Sequence, residues 1–247
     1  MEFQVYHFDS LDSTNNWLKQ NAVQGFIKPG AVVQANFQSD GRGRLGRKWE
    51  SKSEDGLMFS MLLEPLLPES LLPLIGLLIS LGMFDGIAKE IGDTSQLKLR
   101  WPNDILYDNK KLSGILCEST HSDDDKKLTI AGIGLNVNQT TADFEGDFRT
   151  PATSLHMITG KRSSPAKLLP TFLQSIGFYL DRLETEGWSW VSREWIECSG
   201  LTGEHVEVAD GNQRIAGIVE EIRVDGALVL NLGRGVRRTV RSGELSS

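Results

Sequence analysis

Alternation opens the chain. Phe3 and Val5 face one way while Gln4 and Tyr6 face the other, which predicts a strand over Phe3–Phe8. Asp12-Ser13-Thr14-Asn15 then offers N-cap chemistry for a short helix continuing through Trp17–Gln20. After the Pro29-Gly30 turn, Ala31–Phe37 and Leu57–Leu63 predict two more strands, separated by a loop over Asp40–Ser53 dense in Gly and Arg. Pro65–Pro68 reads as a connector, and Ser70 as the cap of a buried helix running to about Gly92. Leu97, Leu99 and Trp101 alternate with Lys98 and Arg100, a strand over Gln96–Trp101. Past the turn at Asp108-Asn109-Lys110, Leu112–Glu118 and Leu128–Val137 pair as a hairpin with Asp123-Asp124-Asp125 at its tip. Thr140–Thr150 reads as a second solvated acidic loop.

Ser164-Pro165 starts a helix with good cap and first-turn chemistry. Leu168, Leu169, Phe172, Leu173, Ile176, Leu180 and Leu183 keep the 3.6 period until Gly187, with a kink or shifted start expected at Pro170. A second helical stretch covers Trp190–Cys198, where Trp188, Trp190 and Trp195 read as core rather than as a base-stacking platform. Beyond the glycine-bearing boundary Ser199–Gly203 the pattern turns to short β runs: His205–Ala209, Arg214–Val224, Ala227–Leu232 and Val236–Arg241. Turns fall at Asp210-Gly211-Asn212, Asp225-Gly226 and Gly233-Arg234-Gly235. This organisation predicts an α/β (α+β) body over residues 1–198 and a small β-barrel over residues 203–247, without internal repeats.

Composition narrows the functional classes. Lys and Arg number 26 and Asp and Glu 33, a formal charge of −7, the wrong sign for a protein that coats nucleic acid. Cys117 and Cys198 sit in no CxxC pair, and His7, His121, His156 and His205 show no ligand spacing, so no structural metal site is expected. The most apolar run, Leu71–Phe84, falls short of the about 20 residues a bilayer helix needs. The N-terminus lacks the basic start and apolar core of a signal peptide, so a cytoplasmic setting is expected.

Against that acidic background, Gly41-Arg42-Gly43-Arg44-Leu45-Gly46-Arg47-Lys48-Trp49 stands out. Glycines allow close backbone approach and arginines present forks that match carboxylate and phosphate, the makings of a closing anion clamp; a disordered basic surface loop is the alternative. The same residues match G-x-G-x-x-G, but no apolar helix follows Gly46, and no GK[ST] occurs, so neither a dinucleotide fold nor a P-loop is expected. Arg100-Trp101-Pro102-Asn103-Asp104 displays Asn103 and Asp104 at a strand end, either as a ligand site or as an Asx turn. Lys111 leads into an apolar strand at the sheet rim, suited to neutralising a carboxylate or phosphate unless it is a solvated turn residue. Gly132 and Gly134 clear one strand face for a flat ligand or a neighbouring backbone, and Asn136 and Asn138 share a face able to bond a base or phosphate.

Taken in order, Asp12–Asn15, Gly41–Trp49, Arg100–Asp104, Lys111–Leu116 and Gly132–Asn136 make the chain resemble the biotin–protein ligases, over Phe8 to about Ser154 and again at Arg241-Ser242-Gly243-Glu244. The resemblance implies a mixed-sheet catalytic domain of the class II synthetase and lipoate ligase type with a C-terminal SH3-like barrel. It implies ATP, Mg²⁺ and biotin, formation of biotinyl-5′-AMP, and transfer to one lysine of a biotin carboxyl carrier domain. Carried onto this chain, Ser13, Thr14, Asn15 and Gln38 line the biotin head group, and Arg42, Gly43 and Arg44 belong to the closing loop. Lys111 bridges the biotin carboxylate and α-phosphate, with Gly114, Leu116 and Gly134 as walls. Arg44, Trp49, Asn103, Lys111 and Asn136 face ATP, and Asp104 orients or deprotonates the acceptor lysine. Lys111, Arg44 and Asp104 are the catalytic set. Arg100 replaces a lysine common in relatives. Some relatives carry an N-terminal helix-turn-helix domain; eleven residues before the first motif are too few for one, so no operator binding is expected. A lipoyl-type ligase and a nucleic-acid module are the rivals, and a monomer or a homodimer fits equally.

Overall fold

The computed structural model describes residues 2–50, 52, 54–64, 71, 73–144, 150–211 and 213–246. Pro65–Pro68, Ser70, Asn212 and the 145–149 part of the acidic loop lie outside these. Seven strands form one sheet: β1 (Gln4–Leu11), β2 (Ala31–Gln38), β3 (Gly56–Leu63), β4 (Leu97–Arg100), β5 (Asp104–Tyr107), β6 (Lys110–His121) and β7 (Lys127–Asn136). Their order is β1-β2-β3-β7-β6-β5-β4, parallel between β1 and β2 and antiparallel elsewhere.

Helices cover both faces, which explains why β3 is buried at every position and reads as an unbroken apolar run. On one face α1 (Thr14–Val23) packs Leu18 and Ala22 against Val33, Leu62, Leu128 and Ile130. On the other, α2 (Pro73–Ile91), α4 (Pro165–Glu186) and α5 (Val191–Ser199) bury Leu57, Phe59, Met61, Ala131 and Ile133. A short α3 (Leu155–Thr159) lies between, capped by Ser154. Pro73 occupies the first position of α2, where its missing N–H has no intrahelical partner to lose, and Gly92 ends it at φ 75°. α4 begins at Pro165 as expected and runs through Pro170 without a shifted start. Trp190 and Trp195 are buried in the core, Trp195 donating to Ser80 Oγ at 2.8 Å.

α2 and α4 cross closely at Gly82, where an added Cβ would lie 2.7 Å from Ile176 Cα. Backbone cannot yield as a side chain can. Gly82→Val should therefore destabilise by about 1–3 kcal/mol through overpacking. Urea unfolding should show a lower midpoint with an unchanged slope; an unmoved midpoint would mean that the helices separate freely.

The C-terminal part is a five-stranded antiparallel sheet of β8 (His205–Asp210), β9 (Gln213–Ile222), β10 (Leu228–Asn231), β11 (Arg237–Val240) and β12 (Glu244–Ser246), in the order β11-β10-β9-β8-β12. It meets the SH3-like expectation in strand content, although the ladder is not closed into a barrel: β11 and β12 form its two ends. Three elements were not anticipated. Arg100 pairs directly with Asp104, so Trp101-Pro102-Asn103 is a hairpin turn and Asp104 opens β5. Neither β12 nor α3 has the length to carry a period of its own.

Candidate active site

Cross-strand register assembles the floor. Val33, Ser60, Gly132 and Leu116 lie side by side across β2, β3, β7 and β6; one step along, Ala35, Met58, Gly134, Gly114 and Asp104 form the next row. The glycines are required by their neighbours. A Cβ on Gly132 would lie 2.2 Å from Asn15 Oδ1, and one on Gly134 would lie 2.3 Å from the Trp49 ring. In this structure the space above Gly134 is taken by the Trp49 indole and that above Gly132 by the Asn15 amide, both side chains of the protein itself.

Polar groups gather at the α1 end of this floor. Gln38 Oε1 accepts from the Thr14 backbone N–H at 2.8 Å and from its hydroxyl at 3.1 Å. Ser60 Oγ lies 2.6 Å from Thr14 Oγ1 and donates to Asn15 Oδ1 at 2.6 Å. Asn15 Nδ2 in turn donates to Glu118 Oε2 at 2.6 Å. Ser13 is buried as the residue before α1, and its N–H is taken by Asp12 Oδ1 at 2.7 Å. Sequence reasoning missed Ser60 and Glu118. Ser60 was visible as the single polar residue in an apolar strand, and Glu118 shares a β6 face with Gly114 and Leu116.

The Gly-Arg loop is an ordered strap. Gly43 N–H donates to Arg47 O at 2.7 Å, Trp49 N–H to Gly41 O at 2.9 Å, and Arg42 bridges to Lys48. Leu45 at φ 57° and Gly46 at φ 74° turn its tip. The strap is pinned to the C-terminal sheet: Arg47 ion-pairs with Glu244, and Arg44 donates to Gly243 O at 3.3 Å and to Asn103 Oδ1 at 3.1 Å. Burial pulls the Arg44 guanidinium below the usual arginine range, opposed by Glu244 and Asp104, while the Glu244 bond lifts Arg47. These contacts order the loop, although Arg42, Leu45, Gly46, Arg47 and Lys48 remain exposed on the surface.

Lys111 Nζ stands 2.7 Å from Asp104 Oδ1 and 5.6 Å from the Trp49 ring centroid. Two cavities meet there. The smaller, about 110 Å³, is lined by Thr14, Asn15, Gln38, Arg42, Gly43, and the glycine floor. The larger, about 700 Å³, reaches Phe37, Arg100, Asn136, Gln139, Asp143 and Phe144. Arg44, Trp49, Asn103, Asp104, Lys111 and Glu244 line both. Arg42, Arg44 and Lys111 therefore converge, as the anion-clamp reading requires.

Several candidates are supports rather than open ligand groups. Asn103 spends its amide on Ile115 O at 2.7 Å and its carbonyl on Arg44. Asn136 donates to Thr153 O at 2.9 Å. Asn138 leaves the shared face expected for it: its side chain bonds Glu54 O, Ser163 O and Ser163 N, clasping the entry to α4. Arg100 is tied to Thr150 Oγ1 at 3.2 Å and to Leu245 O. Both cysteines are free, and burial pushes the Cys117 thiol up to about 12.

The mixed sheet thus bears two adjoining cavities whose shared wall sets Arg44, Arg47, Lys48 and Lys111 beside Asp104 and Glu244. The chain belongs to the biotin/lipoate A/B protein ligase family, whose model matches residues 7–138. It is 30% identical over 234 residues to the bifunctional ligase/repressor BirA of Bacillus subtilis, covering 95% of this chain and 71% of that one. The biotin–[acetyl-CoA-carboxylase] ligase of Paracoccus denitrificans is 27% identical, covering 87% and 89%. In structure the chain is similar to the biotin protein ligase of Aquifex aeolicus in complex with biotin and ATP: TM-score 0.82, 31% identity, 98% of this chain and 97% of that one.

Proposed function

We propose that this protein is an ATP-dependent biotin–protein ligase, which activates biotin to biotinyl-5′-AMP and transfers it to a lysine of a biotin carboxyl carrier domain. The observation that carries the reading is the common wall of the two cavities, where Lys111, Arg44 and Asp104 converge. Two anions must meet there, so cationic groups held in a water-poor site lower the barrier to their contact.

Thr14, Asn15 and Gln38 receive the ureido head in the smaller cavity, which Gly132 and Gly134 also line, and Leu116 gives an apolar wall. Ser13 supports them by setting the start of α1. Lys111 bridges the biotin carboxylate and the α-phosphate. Arg42, Gly43 and Arg44 close over the acyl-adenylate, while Trp49, Asn103 and Asn136 bound the nucleotide side. Asp104 Oδ1 is buried with no hydrogen bond aligned to it, despite its ion pair with Lys111. Asp104 orients the incoming carrier lysine or takes its proton, and that amine attacks the biotinyl carbonyl as AMP leaves.

Among the described residues no cluster of three His, Cys, Asp or Glu side chains could hold a metal. Mg²⁺ carried on a triphosphate usually takes one or two carboxylates beside phosphate oxygens, and Asp104, Asp143 and Glu244 line the larger cavity. Mg²⁺ supplies charge neutralisation there. The boundary between catalytic part and C-terminal sheet falls at residues 199–203. The acidic surface fits no nucleic-acid partner, and among the described residues no helix is long and apolar enough to cross a membrane. A cytoplasmic enzyme, monomer or homodimer, completes the reading.

Radiolabelled biotin should pass to a purified carrier domain only with ATP and Mg²⁺. Titration should show biotin binding and no lipoate binding. Lipoate binding without biotin binding would assign the chain to the lipoyl branch of the family.

A further inference from the structure

We infer that Glu118 is a positioning residue for biotin recognition: it sets the direction of the hydrogen-bond chain that forms the head-group wall. The inference rests on the biotin-ligase reading of the same site. Glu118 does not line the smaller cavity, yet it touches two residues that do. Oε2 accepts from Asn15 Nδ2 at 2.6 Å, and Oε1 lies 3.5 Å from Arg42 Nη1 of the strap.

Direction follows from donor and acceptor counts. An ionised carboxylate only accepts, so Asn15 must turn its amide to Glu118 and its carbonyl away. That carbonyl meets Ser60, whose single proton is then committed to Asn15. Ser60 can therefore only accept from Thr14 at their 2.6 Å contact. Thr14 has one hydroxyl proton, and giving it to Ser60 at 2.6 Å rather than to Gln38 Oε1 at 3.1 Å leaves Gln38 Oε1 the Thr14 backbone N–H. The wall thus runs Thr14 to Ser60 to Asn15 to Glu118 with one polarity. It presents a fixed set of donors and acceptors to a ureido group, which itself carries both. Gly132 leaves the space that the Asn15 amide fills, since any Cβ there would strike it. Without the carboxylate, the Asn15 amide can flip and Ser60 can reverse.

The Arg42 contact is the smaller part. Arg42 is 37% exposed and the separation is long, and pairs of that kind contribute little. The bond to buried Asn15 decides the effect.

Glu118→Gln tests this, because it keeps size and one acceptor oxygen but adds a donor. The wild-type protein, titrated with biotin, first checks the reading beneath: no binding would overturn that reading and this inference together. With wild-type binding established, E118Q should weaken biotin about tenfold, while the KM for ATP stays within about twofold. Asn15→Ala should add little in the E118Q background, because Glu118 acts through Asn15. Should E118Q fold poorly, Glu118→Asp, which withdraws the carboxylate by one methylene, should show the same split between biotin and ATP. Biotin affinity within twofold of wild type in the folded variants, or full additivity with Asn15→Ala, would overturn the inference and leave the ligase reading standing.

Discussion

Lys111→Ala should slow biotinyl-adenylate formation by about 10²–10³-fold, the usual effect of removing one preorganised charge from a developing anionic centre. The lysine sits where the two cavities join, fixed by Asp104 at 2.7 Å and by the Trp49 face. Its main chain is fixed too: Lys111 N–H donates to Pro151 O at 2.7 Å and its carbonyl accepts from Thr153 N–H at 2.9 Å. Deletion removes the positive charge and leaves Asp104 unpaired beside two arriving anions. Lys111→Arg should not restore the rate. A guanidinium is longer and spreads its charge over a planar fork, so it does not reproduce the compact ammonium held 2.7 Å from Asp104 Oδ1. Biotin-dependent exchange of pyrophosphate into ATP measures the step. A Lys111→Ala rate within tenfold of wild type would remove this residue from the chemistry.

Arg44→Gly should raise biotinylation of bystander lysines by about tenfold or more, while adenylate still forms. Arg44 joins the strap to Asn103 and to Gly243. Hydrogen bonds from a charged donor are worth about 1.5–3 kcal/mol each, so losing even one of them shifts the closed population by roughly 10–100-fold. The strap's own backbone bonds survive, and Arg47 still meets Glu244, so the loop loosens without unfolding. A reactive mixed anhydride then escapes before a carrier docks. Free biotinyl-AMP and label on albumin are the readouts. A purified variant with no rise in nonspecific labelling would show that Arg44 does not retain the intermediate.

Much of the body was legible along the chain because its signals are local. Period-2 alternation marked β1 and β4, β-rich apolar runs marked β2, β3, β6 and β7, the 3.6 period of Leu168–Leu183 marked α4, and turn residues bounded them. The five ordered motifs marked most of the site, since chemistry that handles anions concentrates Gly, Arg and Lys in recognisable spacings. Two helical or strand segments were too short for a period, and β5 was hidden behind Pro102, which reads as a strand end whether or not the chain turns straight back.

What residue order alone determined is therefore the inventory: which side chains can bind anions, which runs form strands and helices, and which family they belong to. Tertiary structure decided the adjacencies. Only antiparallel register sets Gly132 beside Ser60 and Leu116, and Gly134 beside Gly114, turning separate motifs into one floor. Only packing of the second sheet brings Gly243 and Glu244 onto a strap some 200 residues earlier (Arg44 to Gly243 is 199). Only folding reveals that Asn138 and Asn103 are spent on the protein itself while Glu118, unremarkable in sequence, directs the wall. The reason is physical: a hydrogen bond depends on distance and direction in space, and no local pattern encodes the partner of a residue a hundred positions away.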